Sequence, residues 1–421
     1  MAQLKDDCFA FGGELMPLSS ALDLLQQRIS PVAGVESVPI RQAADRTLAE
    51  NIISPRNVPP HDNSAVDGFI VYYSDLDPVG DTRLPVTGRI AAGHPLTRKA
   101  RHGEACRIFT GAQVPDGESG APDTIFMEED CTVDGDYVTL PPGLKKGSNL
   151  RDCGEDVKVG DVIIQAGQRL RPQEIGLAAS VGCSELKVFS PLRAAVFSTG
   201  DEVRDPGTDA PAGCIYDANR YAVMSLLESL GCTVTDLGIL KDDQAVIAAS
   251  LDQAAPSHDL LITSGGVSLG EEDHVKAAVE SLGKIDFWRL AIKPGRPIAL
   301  GTVGETAFVG LPGNPVAAMV TFMMIARPVI KLLSGQRDVL PISYRVRSGF
   351  DYKKKTGRRE WIRTRIDQDE QGPVAMKHHS SGAGILTSMV DADGLVVALE
   401  DSAGISAGDI VDFISFNEVA K

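Results

Sequence analysis

Three stretches of the chain combine small residues with acids in a way that suits phosphate or oxyanion chemistry. They are Ser198-Thr199-Gly200-Asp201-Glu202, then Thr263-Ser264-Gly265-Gly266-Val267-Ser268-Leu269-Gly270-Glu271-Glu272-Asp273, and finally Leu311-Pro312-Gly313-Asn314-Pro315. Small residues let backbone N–H groups approach an anion, and a helix opening at Pro315 adds the positive end of its dipole. Proline suits that first turn because the N–H it lacks is not needed there. Each stretch alone reads as an ordinary strand-to-helix turn. Three of them, each after an apolar strand, converge on one rim if the strands are parallel, because ligands of open parallel sheets bind beyond the carboxyl ends.

The same rim is expected to carry Asp201, Glu202, Asp217, Asp242 and Asp273. Gathered in a cleft, these carboxylates would repel one another unless a cation intervened, and hard oxygen donors suit Mg²⁺. Asp242, in Lys241-Asp242-Asp243, has the plainer reading of a helix cap. Compensating charge is expected from Arg220, Arg289, Lys293 and Arg296, the last three spaced by Pro294 and Gly295 at a strand end. Gly266-Val267-Ser268-Leu269-Gly270 matches the G-x-S-x-G nucleophile elbow. The strand ends near Thr263 and the next helix begins near Asp273, so Ser268 falls mid-loop. His378 and His379 lie in a distant β region with no evident orienting acid, and a hydrolase triad is rejected.

The elements that must position these residues follow from periodicity. From 191 to 336 strands alternate with helices: strands near 194–197, 232–240, 260–263, 285–292, 298–300 and 307–310, and helices over 219–230, 244–254, 274–282 and 316–333. That alternation predicts a three-layer α/β/α domain with a mostly parallel sheet. Before it, a helix over 17–29, with Ser19 or Ser20 as N-cap, leads into short β segments, and a short helix over 173–181 closes that half. After it, alternating segments at 344–347, 361–365 and 410–414 predict a small barrel or sandwich. The expected division is 1–59 with 150–190 as a discontinuous N-terminal domain, 60–149 as a β-rich second domain, 191–336 as the central domain, and 337–421 as the C-terminal β domain.

Bulk properties exclude several classes. A formal charge of −16 argues against nucleic acid as the main partner and requires an anion site to reverse the local field with placed cations. The basic run Lys353-Lys354-Lys355, with Arg358 and Arg359 around Gly357, reads as a solvated hairpin tip. Seven scattered cysteines without C-x-x-C spacing indicate neither a disulfide framework nor a zinc site. No signal peptide is evident, and the apolar stretch 316–325 is too short to cross a bilayer, so no membrane role and a cytoplasmic location are expected.

Taken in order, these loops resemble the molybdopterin molybdenumtransferase (MoeA) family, related to the C-terminal domain of gephyrin, over nearly the whole chain. Asn63-Ser64-Ala65-Val66-Asp67-Gly68-Phe69 resembles the family's N-S-A-x-D-G-[YF]. Arg107-Ile108-Phe109-Thr110-Gly111-Ala112 resembles R-I-x-T-G-A, and Arg151 with Gly154-Glu155-Asp156 resembles R-x-x-G-E-D. The three central loops complete the set. Two departures stand out: Trp288-Arg289 where the family often has Trp-Lys, and Ser381-Gly382-Ala383-Gly384 where Q-G-S-G is frequent. Arg is a planar fork where Lys is a point charge.

The resemblance implies a MogA/MoaB-like central domain and the last step of molybdenum cofactor assembly: molybdate enters the dithiolene of adenylylated molybdopterin, with Mg²⁺-dependent loss of AMP. It implies a homodimer in which Asp67, Thr110, Arg151 and Asp156 of one subunit face the central rim of the other. On this reading Glu202, Asp242 and Asp273 hold Mg²⁺, while Arg289 and Lys293 bind molybdate or the pterin phosphate. Thr199, Gly200, Asp217, Ser264, Gly265, Gly266, Ser268, Arg296, Pro312, Gly313, Asn314 and Pro315 form the substrate cradle. An upstream adenylyltransferase and acceptor molybdoenzymes are the implied protein partners. A molybdopterin adenylyltransferase, which would consume ATP, stays open as an alternative, as does a non-catalytic cofactor-binding or scaffold protein.

Overall fold

The computed structural model describes residues 15–266 and 274–420. Ser268 and Asp273 therefore lie outside the described residues. The central sheet runs in the order Thr233–Leu240, Arg193–Thr199, Leu260–Ser264, Thr306–Leu311, Pro297–Val303, Gly283–Arg289. The first three pairings are parallel and the last two antiparallel, so the sheet is mostly parallel with an antiparallel edge. Leu260 to Ser264 and Thr306 to Leu311 are buried at every position, as strands covered on both faces must be. Helices Asn219–Ser229 and Pro315–Thr321 cover one face; Gln244–Ala254 and His274–Leu282 cover the other.

The helix predicted over 316–333 runs longer than the apolar stretch suggested, as a continuous Pro315–Leu333 segment. By length and composition it could cross a bilayer, yet 83% of its most apolar window is buried inside the protein, which makes it a core helix. Its turns widen to a π-helix over Phe322–Ala326. Pro328 follows, and its missing N–H would have bonded the Met324 carbonyl.

The N-terminal helix is Leu18–Arg28 and packs Leu18, Ala21 and Leu25 into the central core. It starts earlier than the Ser19 or Ser20 cap predicts. Met16 N–H donates to the Arg289 carbonyl and Ala291 N–H to the Met16 carbonyl, so the chain is pinned before Pro17 turns it into the helix. Strand Val35–Pro39 pairs with Glu185–Phe189 and Ile52–Ile53 with Val162–Ile164, around a separate core that includes Leu48, Leu170 and Val188. Between these excursions lies a second sheet, ordered Thr124–Met127, Gly68–Val71, Ala105–Ile108, Thr82–Ile90, Tyr137–Leu140, Thr132–Asp134.

At the C-terminal end, strands Arg359–Asp369, Gly372–Lys377, Tyr344–Ser348, Ile410–Ser415 and Gly394–Ala398 close into a barrel, the last pairing back to the first. The barrel has its own core around Val346, Ile362, Val396 and Phe413. Its outer face sends Trp361, Leu395 and Ile414 into the central core. The predicted strand over 285–292 is in fact divided. Gly283–Arg289 stays in the central sheet, whereas Ile292–Lys293 leaves it and pairs in parallel with Arg359–Glu360 of the barrel.

Candidate functional site

The three small-residue loops do meet. Gly265 N–H donates to the Leu311 carbonyl at 3.1 Å, and the Ser264 hydroxyl donates to the Pro312 carbonyl at 3.0 Å. Asn219, at the start of its helix, ties them together: its side-chain amide donates to Ser264 Oγ at 2.9 Å and to the Gly313 carbonyl at 2.7 Å. Gly266 has a φ of +64°, and a Cβ there would stand 2.7 Å from Val275 and 2.8 Å from Thr199 Oγ1. Only glycine lets the second loop lie this close to the first.

Over these loops opens a cavity of about 560 Å³ whose floor is central and whose wall is the barrel. The floor presents Glu202, Gly265, Gly266, Pro312, Gly313 and Asn314, with Lys293 to Pro297 along one side. The wall presents Tyr352, Glu360 to Arg363, Lys377, His378, Ser380, Ser381 and Ala383. Among the described residues, the cations Lys293, Arg296, Arg363 and Lys377 thus outnumber the acids Glu202 and Glu360 around the cavity. A surplus of cations among the described lining residues is what an anion site in a strongly acidic chain demands.

Two of these cations, Lys293 and Arg363, are held in place. Lys293 Nζ lies 3.2 Å from Glu360 Oε2 and 3.4 Å from the Tyr352 hydroxyl. Glu360 is 1% exposed and also accepts from Tyr352 at 2.6 Å and from Arg358 Nε at 2.7 Å. Burial pushes its carboxyl up, but the hydrogen bonds from Tyr352, Arg358 and Lys293 together bring it below the ordinary value. Arg363 is buried, which holds its guanidinium below its ordinary value. It donates to Ser388 Oγ and to the Ser380 and Gly382 carbonyls, and so shapes the loop that follows. That loop returns a carbonyl to the floor: Ala383 accepts the Val316 N–H at 3.0 Å. The backbone contact survives although Ala383 has no hydroxyl to offer.

The sharp turn through Pro294, Gly295, Arg296 and Pro297 fits only because Gly295 has φ +85°. A Cβ there would lie 2.0 Å from Thr321 Oγ1 of the core helix.

Other predicted residues fall elsewhere. Arg220 is no free cation: it is 2% exposed and pairs with Asp217 at 3.0 Å and with Asp205 and Asp236. Asp217 is correspondingly engaged, accepting from Arg220 N and Nε, so neither is presented to the cavity. Arg289 is exposed and outside the cavity lining, because the chain bends at Leu290 and Ala291 where Met16 and Arg359 bond it. Lys293 and Arg296 remain of the predicted cation group, and Arg296 makes no ion pair with a described residue. Thr199, Gly200, Ser264 and Pro315 support the floor from behind without lining it. Asp201 is exposed, and its carbonyl accepts from Arg204. Asp67, Thr110, Arg151 and Asp156 are exposed. Asp67 Oδ1 accepts from both Thr110 N and Oγ1 at 2.7 Å, which lowers its carboxyl. Arg151 pairs across to Asn63, next to this cluster.

Of the expected Mg²⁺ ligands, Glu202 lines the cavity, Asp242 is half-buried and does not, and Asp273 lies outside the described residues. Among the described residues no group of three His, Cys, Asp or Glu is arranged to hold a metal ion. The described donors do not by themselves make a metal site.

Residues 16–182 match the MoeA N-terminal region (domain I and II), 195–332 a probable molybdopterin binding domain, and 345–416 the MoeA C-terminal region (domain IV). The chain is 38% identical to the molybdopterin molybdenumtransferase of Haemophilus influenzae, over 96% of this chain and all of that protein. The chain belongs to the MoeA family. Its role is that of a transferase in molybdenum cofactor biosynthesis. Among other MoeA relatives, molybdopterin molybdenumtransferase 2 of Mycobacterium tuberculosis is 34% identical, over 88% of this chain and 93% of that one. The crystal structure of the molybdopterin biosynthesis moeA protein of Pyrococcus horikoshii OT3 superposes with a TM-score of 0.80 at 26% identity, covering 96% and 100% of the two chains.

Within this MoeA fold, sequence reasoning missed the barrel's share of the cavity: Tyr352, Glu360, Arg363, Lys377 and His378. Glu360 directly follows the basic run that reads as a solvated tip. His378 does have an acid, Asp391, at 3.3 Å from Nε2, while Nδ1 accepts the Ser380 N–H at 3.1 Å. Lys354, in the same run, is half-buried and donates to the Leu399 and Ser402 carbonyls.

Proposed function

We propose that the cavity receives an oxyanion, and that the chain transfers molybdate to the dithiolene of adenylylated molybdopterin with release of AMP. The observation that carries this reading is the surplus of cations among the described residues lining one cavity of a chain with formal charge −16. Lys293, Arg296 and Arg363 bind and orient the anion. The Gly265-Gly266 and Pro312-Gly313-Asn314 backbone approaches the phosphate ester from the floor. Cleaving a phosphoanhydride calls for such charge stabilisation more than for a protein nucleophile. Mg²⁺ belongs to the same proposal, with Glu202, Asp242 and Asp273 as its oxygen donors; the ion would neutralise charge on the anhydride oxygens.

The proposal places the protein in the cytoplasm as a homodimer. Asp67, Thr110, Arg151 and Asp156 of one subunit then complete the rim of the other, and the upstream adenylyltransferase and acceptor molybdoenzymes are the protein partners. The test is AMP release from adenylylated molybdopterin, with and without molybdate. Molybdate-dependent release is expected for the wild type, stopped by EDTA and abolished in Glu202→Ala and Asp273→Ala with the fold intact. A fully active Asp273→Ala removes that residue from the site, and release that needs no molybdate overturns the assignment.

A further inference from the structure

We propose that Glu360 is the positioning residue for Lys293, so that the C-terminal barrel sets how tightly the cavity holds a tetrahedral oxyanion. The inference rests on the oxyanion reading above and deepens it.

The backbone makes the first case. Ile292–Lys293 leaves the central sheet and takes its register from Arg359–Glu360, so Lys293 and Glu360 are directly paired across two domains. The side chains make the second. A carboxylate that is 1% exposed must be fully paired to be tolerated. Glu360 meets that demand with Lys293 and Tyr352 on Oε2 and Arg358 on Oε1. The Tyr352 hydroxyl spends its proton on Glu360, which frees its lone pairs to accept from Lys293 at 3.4 Å. An ammonium has three N–H donors. Glu360 and Tyr352 take two of them and fix the rotamer, and the third is left for the cavity, into which the half-exposed lysine opens.

Charge makes the third case. Glu360 could instead act as a rival that withholds Lys293 from an incoming anion. Arg358 argues against this, because it already balances the carboxylate and leaves the Lys293 charge in excess. Holding a flexible four-carbon side chain in place before the anion arrives removes an entropy cost from binding.

The test is molybdate binding to the full-length chain by titration calorimetry, with wild type, Lys293→Gln, Glu360→Gln and the double variant. If Glu360 acts through Lys293, each single change weakens binding about tenfold and the double variant binds no more weakly than Lys293→Gln. Additive losses, or wild-type affinity in Glu360→Gln, overturn the proposal. Tyr352→Phe provides a gentler probe should Glu360→Gln fold poorly. It is expected to weaken binding about two- to threefold in the wild-type background and not at all beside Lys293→Gln. Equal losses in both backgrounds count against the coupling. A wild-type chain that binds no molybdate sinks the oxyanion reading itself, which is a different result from binding with additive losses.

Discussion

Arg220 and Glu360 each sit at the centre of a buried charge cluster, with opposite stoichiometry. Arg220, 2% exposed, is one guanidinium surrounded by Asp205, Asp217 and Asp236. Glu360, 1% exposed, is one carboxylate surrounded by Lys293, Arg358 and a phenol. The first cluster engages every nitrogen of its fork with an acid and holds the start of the Asn219–Ser229 helix against the Thr233–Leu240 strand. The second retains positive charge and one ammonium donor beside an open cavity. Charged residues in this protein thus divide by what remains after internal pairing. A cation whose charge is fully met by buried acids stabilises the fold, and a cation fixed by only part of its donors can still bind a ligand.

The sharpest way to break that division is Arg220→Leu. It leaves three carboxylates facing one another, one of them in Asp217 almost wholly buried, and breaking a buried pair in this way costs about 3–5 kcal/mol. Urea unfolding of the variant is expected to show that loss, and a midpoint near wild type means the cluster is not what fastens the helix. By the same division Lys293→Gln, which keeps an N–H donor for Glu360 and leaves Arg358 to balance its charge, should lower the melting temperature less than Arg220→Leu while weakening oxyanion binding.

A second, smaller effect tests the turn that delivers Lys293 and Arg296. Gly295→Ala forces a Cβ toward Thr321 Oγ1 at a φ of +85°. Overpacking together with left-handed strain is expected to cost about 2 kcal/mol. Adding Thr321→Ala removes the obstructing hydroxyl, whose oxygen has no hydrogen-bond partner among the described residues, and should recover about half of that loss. Thermal melts of the two singles and the double decide it. Strict additivity would mean the clash is relieved by backbone movement instead.

How much of this was legible in the sequence follows from the same physics. The floor was, because Gly265, Gly266 and Pro312 to Pro315 combine backbone demands with apolar strands on either side, and both signals are local. Lys293 was legible too, as a cation between Ile292 and Pro294. The wall was not. Strand Arg359–Asp369 is buried at five successive positions from Glu360 to Thr364, because one face fills the barrel and the other packs on the central domain. That erases the period-2 pattern by which a strand shows its sides. Arg220 and Arg289 misled for a related reason. Charge and position on the rim are local facts, but pairing with Asp236 sixteen residues on, or the bend that Met16 imposes beside Arg289, depends on the fold.

The smallest effect concerns acid. The carboxyl of Glu360 is held below its ordinary value: burial alone would raise it, and the donors Tyr352, Arg358 and Lys293 outweigh that. A carboxyl depressed in the folded state contributes stability that is complete above its unfolded value, about 4.3 for glutamate, and is lost as pH falls through the folded one. Wild type and Glu360→Gln should therefore differ by a constant amount from neutral pH down to about 5, and converge below it. Other depressed carboxyls, among them Glu104 and Glu174, keep an acid limb in both proteins, so the difference between the two curves is the quantity to read. Urea melts between pH 7 and 3.5 measure it. Curves that stay parallel to the lowest pH would mean that Glu360 binds its proton equally well in the folded and unfolded chain, so that its surroundings give the charged form no advantage and Lys293 is held by geometry alone.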